Sequence, residues 1–229
     1  MFEAEKNGID TYIALGEPFV LRIIRQYRNE GGKMKIIFQT YPAMDLYINL
    51  RMMEKCDPIA IYHQGGTVDY MCEMNQVDLL RNKTKRIKDT GLPTGLGTHV
   101  PETVIRAEEE NWGIDFYMTC LYNARRTQRG EQSGFITGKP KYLVFYPEDG
   151  FLMFNVIQKV QKPCIAFKIF AGGQIFNGKM SEEIPVVVEA SFKETYANIK
   201  PNDLACIGVF QKYKNELKEN VNIAKAILK

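Results

Sequence analysis

With 229 residues, 45% hydrophobic and 25% charged, the chain has the composition of a soluble globular protein with one large core. A formal net charge of +3 is too small to argue for nucleic acid or an anionic membrane as partner. No apolar run approaches the roughly 20 residues needed to cross a bilayer and no signal peptide opens the chain. The five cysteines are scattered without a C-x-x-C pair, which argues against a disulfide framework or zinc and for a reducing cytoplasm.

In chain order, Glu3 to Gly8 reads as the last turn of a helix capped by Gly8. A strand over Asp10 to Leu15 follows. Phe19, Val20, Ile23, Ile24 and Tyr27 then recur at helical spacing up to Gly31-Gly32. Lys35 to Thr40 reads as a strand, and Pro42 as the start of a helix running to about Lys55. Between Asp57 and Asn123 three short apolar runs (Ile59 to Tyr62, Leu92 to Leu96, Ile114 to Leu121) are bounded by Gly, Pro or Asp. Each is too short for an ordinary helix and is followed by a segment of different period. The first two are separated by one long polar helix with Met74, Val77, Leu80, Thr84 and Ile87 on one face. The basic residues Arg81, Lys83, Lys85, Arg86 and Lys88 lie largely on the other. Without interleaved aromatics, that run reads as a solvated face rather than a nucleic-acid patch.

The pattern breaks over 124–146, which reads as a long loop insertion in a single domain spanning 1–229. A helix from Pro147 to Gln161 and a strand ending at Lys168 or Ile169 come next. A helix within Ile184 to Ile199, a strand through DLACIGVF and a last helix over Asn215 to Leu228 complete the chain. Strands alternating with helices imply parallel pairing. Seven such units fit a TIM-type (β/α)8 barrel lacking its first strand. The competing doubly wound sheet would show a Gly-rich phosphate fingerprint after an early strand, and none is present. An open barrel would expose strand edges and favour a homodimer.

The order and spacing of several segments resemble the aldo-keto reductase superfamily, including its bacterial relatives, over most of the chain. IAIYHQGG (59–66) resembles the fourth strand, which ends in the active-site histidine. KDTG followed by LPTGLGTH resembles a helix and a strand ending in Gly-x-Ser-Asn. DFYMTCLYNARR resembles a strand ending in Tyr-Asn. CIGVFQKYKNELKENVNIA is similar to the last strand and helix, where a basic residue and a Glu-Asn pair approach the cofactor's adenosine phosphate. The resemblance implies an NADP-dependent oxidoreductase acting on a small carbonyl substrate. The Asp, Tyr, Lys and His set of the family is matched only at His63. Gln39 and Thr40 stand where the Lys belongs, Ile13 to Leu15 where the Asp belongs, and Glu17-Pro18 near the Tyr. His99 replaces an amide ligand, and Lys168 an aromatic that stacks on nicotinamide.

From the residues themselves, His63, His99 and Lys168 are the catalytic candidates. Imidazole titrates near neutral pH and suits acid–base work. Burying a lysine ammonium is costly and favours the neutral amine that attacks carbonyls. Gln39, Tyr41, Gln64, Thr119, Tyr122 and Asn123, near strand ends, are substrate-binding candidates. Gly172, Gly173, Lys212, Lys214 and Asn220 would meet a phosphate or NADP. No resident metal is expected from two histidines without a matched acid at a strand end; Asp69 and Asp115 are possible carboxylates. Three readings stay open: the oxidoreductase; a lyase, aldolase or isomerase on a small anionic or sugar-like substrate using Lys168 and the histidines; and a barrel without activity.

Overall fold

The computed structural model describes residues 1–123, 146, 148–212 and 214–228. The loop expected over 124–146 lies, apart from Tyr146, outside the described residues. Seven strands form one sheet: β1 Thr11–Leu15, β2 Lys35–Gln39, β3 Ala60–His63, β4 Thr94–Thr98, β5 Phe116–Cys120, β6 Cys164–Phe167 and β7 Leu204–Cys206. Each pairs in parallel with the next, in chain order and without reversal. A doubly wound sheet, whose strand order reverses at a switch point, is therefore excluded. The sheet curls into a half-barrel with helices on its outer face.

Side-chain parity fixes the two faces. Ile37, Ala60, Tyr62, Phe116, Met118 and Ile165 pack together inside the curl. Their neighbours point outward: Ala14, Ile36, Phe38 and Ile61 meet Leu21 and Ile24 of helix α2 (Pro18–Asn29). Leu96, Tyr117, Cys164 and Ala166 pack against α5 (Val77–Lys88) and α7 (Asp149–Lys159). Both faces of the central strands are covered, which explains their near-continuous apolar sequence.

Local chemistry sets the ends of the helices. Pro18 occupies the first turn of α2, and the Glu17 carboxylate accepts from Val20 N at 3.2 Å. The helix placed at Pro42 starts instead at Leu46, because Asp45 supplies the cap to Ile48 N at 3.1 Å; α3 spans Leu46–Glu54. The single long helix after β3 is two, α4 (Gly65–Glu73) and α5, separated at Asn75 with φ 54°. Met74, expected on the buried face, is exposed at that break, whereas Val77, Leu80, Thr84 and Ile87 are buried. Beyond these lie α6 (Pro101–Glu109), a 3₁₀ turn at Ala171–Phe176, α8 (Ile184–Asn198) and α9 (Glu216–Ile227). No helix among the described residues is long and apolar enough to cross a membrane.

β1 and β7 are the edges. The helix ring spans the gap between them: α1 (Phe2–Lys6) meets the start of α9 where Asn215 Nδ2 donates to Glu3 Oε1 at 3.0 Å.

Candidate functional site

At the carboxyl ends of β4 and β6 three polar side chains converge. Asp69, on α4, has a carboxylate fully out of solvent that three donors meet. Thr98 Oγ1 donates to Oδ1 at 2.5 Å, the His99 backbone N–H approaches Oδ2 at 3.2 Å, and His99 Nδ1 lies 2.7 Å from Oδ2. A carboxylate only accepts, so His99 Nδ1 carries a proton, and in the neutral imidazole Nε2 then presents a lone pair. On that side Lys168 Nζ stands 3.5 Å away. The Phe167 ring meets the imidazole edge-on at 5.8 Å between centroids, and the first turn of α4 closes in at Gly65, where a Cβ would lie 3.4 Å from His99 Cε1.

Lys168 directly follows β6 and adopts φ 59°, a left-handed conformation that costs a lysine roughly 1–2 kcal/mol. Ala171 at 49° is strained in the same sense within the same turn. Such strain persists only where surrounding structure imposes it, commonly at functional sites. Cys120 ends β5 and is buried. Burial pushes its thiol up to about 12, against the opposing pull of the Lys168 charge, so it stays protonated and is a poor nucleophile.

His63 is elsewhere. Its neighbour Tyr62 points inward and donates to Gln39 Oε1 at 2.6 Å, so His63 faces out toward the helices. It is 3% exposed and both ring nitrogens lack partners. Burial, with a smaller contribution from the Lys83 charge, pushes its pKa down to about 4. No hydrogen bond joins His63 to His99, the histidines expected as an acid–base pair.

The remaining candidates divide. Gln39 is on the inner face, held by Tyr62. Tyr41 is half-buried, its N–H tied to Asn49 Oδ1 at 2.8 Å. Gln64 uses its side chain to cap α4, accepting from Thr67 N at 2.6 Å. Thr119 is fully buried on the outer face, with its hydroxyl 3.3 Å from Ile165 O. Tyr122 is half-buried and its phenol is pushed up chiefly by burial. Asn123 donates its backbone N–H to Asp149 at 3.1 Å.

Lys214 and Asn220 line a cleft of about 490 Å³ with Phe170, Phe176, Ile184 and Ile223. Lys214 pairs there with Glu219 at 2.6 Å. Gly172 and Gly173, with φ of 64° and 91°, make the turn before this cleft, and Lys212 is exposed; none of these three lines it. Among the described residues no group of three or more His, Cys, Asp or Glu is arranged to hold a metal ion.

Asp69 is the residue that sequence reasoning left without a role. Its signal was a charge within an otherwise apolar helical stretch, Val68 to Cys72. Comparison with protein-family models and with curated proteins finds no match to this chain.

Proposed function

We propose that the chain is a barrel enzyme of the (β/α)8 type, built here on seven strands, that acts on a small carbonyl compound through an imine at Lys168. The observation that carries this reading is the 3.5 Å approach of Lys168 Nζ to an imidazole whose other nitrogen is held by a buried carboxylate. In this reading the ammonium gives a proton to His99 Nε2, and the free amine adds to the substrate carbonyl. His99 returns that proton to the carbinolamine oxygen, which leaves as water to form the protonated imine. A C–H or C–C bond beside the imine carbon then breaks, with the electron pair taken up by the iminium nitrogen. Reprotonation and hydrolysis release the product and restore the amine. Asp69 keeps His99 in the required tautomer and orientation, as an acid does for histidine in other acid–base sites.

The expected activity is a lyase, aldolase or isomerase reaction. Its test is exchange of the α-protons of pyruvate and dihydroxyacetone phosphate with D2O, followed by NMR. Lys168→Ala should abolish exchange. His99→Ala should slow it about 10²–10⁴-fold, the usual worth of a positioned acid–base group. Equal exchange in all three proteins would remove the proposal.

A second reading, an NADP-dependent oxidoreductase, is favoured by the cleft lined by Lys214 and Asn220 beside Phe170. Its weakness is that Glu216 and Glu219 line the same cleft and Glu219 already neutralises Lys214. A seven-stranded half-barrel is also common ground for many enzymes and does not single out aldo-keto reductases. Titration with NADPH, following its fluorescence, checks this reading: saturable binding weakened by Lys214→Ala would support it, and no binding would discard it.

A further inference from the structure

We propose a second ligand site, for a small polyanion of the pyrophosphate class, at the opposite end of the half-barrel from Lys168. It is a cleft of about 500 Å³ between α5 and the turn that leads into β5. Arg81, Lys85 and Lys88 recur at i, i+4 and i+7 on α5 and so share one face, and all three line the cleft. Only one acid, Asp78, joins them in the wall.

The other carboxylates nearby are already engaged. Glu110 accepts from Arg106 at 2.6 Å and from the Trp112 indole at 2.8 Å. Asp115 accepts from Thr94 N at 2.8 Å and pairs with Lys88 at 3.6 Å. Arg81 and Lys85 end in no salt bridge among the described residues. Lys88 is pinned against the cleft wall by donating to Gly113 O at 2.7 Å. The opposite wall is a fixed turn in which Asn111 (φ 47°) and Gly113 (φ 72°) are both left-handed.

Asn82 and Asn111 add amide donors to the lining. Converging cations and two asparagines suit an anion with several acceptor oxygens. A volume of this size admits more than an inorganic ion, so a diphosphate attached to a small organic group fits the site.

The chain's single tryptophan, Trp112, lines this cleft and reports on it directly. Addition of inorganic pyrophosphate at low salt should change Trp112 fluorescence saturably, and calorimetry should give one site per chain. Arg81→Ala/Lys85→Ala should weaken binding about tenfold or more, since a hydrogen bond to a charged group is worth about 1.5–3 kcal/mol. Lys193→Ala, at an exposed position of α8 paired with Glu189, should leave binding unchanged. No saturable response overturns the proposal, as does equal affinity in the double variant with a native circular dichroism spectrum. Binding of a 20-nucleotide RNA without competition by pyrophosphate would also overturn it, in favour of an extended basic surface.

Discussion

A histidine sealed from water with both ring nitrogens unpartnered is held neutral by the fold, and that sets the pH behaviour of His63. Its folded pKa of about 4 lies below the ordinary value of 6.5. The stability it contributes is therefore present above pH 6.5 and is lost as pH falls through 4, where the unfolded chain binds a proton that the folded chain refuses. The loss sums to about 3 kcal/mol. His63→Leu removes that titration and the unsatisfied nitrogens, so melting temperatures at pH 7.5 and pH 4.5 should differ less in the variant than in the wild type. Asp69, unlike His63, has its hydrogen bonds made. Asp69→Asn should keep the fold while lowering turnover about 10²–10⁴-fold through the wrong histidine tautomer. Asp69→Ala should also cost about 1–3 kcal/mol of stability, measured by urea unfolding, by leaving the part-buried His99 N–H unpaired. The sequence made His99 and Lys168 conspicuous, one as one of only two histidines and the other as a charge among apolar neighbours. It could not assign His63 to a face, because a strand buried on both sides shows no alternation from which parity can be read.

Elements were legible where their ends carry chemistry. The seven strands emerge within about two residues at most ends, because short apolar runs bounded by Gly, Pro and Asp have few other solutions. Where no such signal exists the boundaries slipped. The split between α4 and α5 rests on Asn75, which a helical pattern tolerates in sequence but which adopts φ 54° and is exposed. Asn75→Gly should be neutral or slightly stabilising and Asn75→Ala should cost about 1 kcal/mol, as read by thermal unfolding. β7 is shorter than DLACIGVF promised; it ends at Cys206, and paired on one side only it has less to hold it extended. Packing at β4 is as specific as any turn. A Cβ on Gly95 would fall 2.4 Å from Phe116 Cζ and 2.6 Å from Tyr62 Cβ. Gly95→Ala should cost about 1–3 kcal/mol by overpacking the inner face on which Gln39 and Tyr62 are held.

At the scale of the whole molecule, stability grades from the centre of the sheet outward. β3, β4 and β5 are buried at every position, whereas β1 alternates and β7 has no buried residue. Leu204, at the start of β7, is 56% exposed. Amide hydrogen exchange should accordingly be slowest in β3 to β5 and fastest among the strands in β7 and β1. This gradient matters for function, since Asp69 and His99 hang on the rigid centre while Lys168 leaves β6, the last strand with two neighbours. The proposed imine thus joins a fixed acid–base pair to a lysine on a strained turn. Borohydride reduction in the presence of pyruvate, dihydroxyacetone phosphate or acetaldehyde, followed by peptide mass spectrometry, tests that claim most directly. The account predicts a reduced adduct confined to Lys168, absent in Lys168→Arg and formed more slowly in His99→Ala. No adduct with any of the three, or labelling scattered over surface lysines, would contradict it.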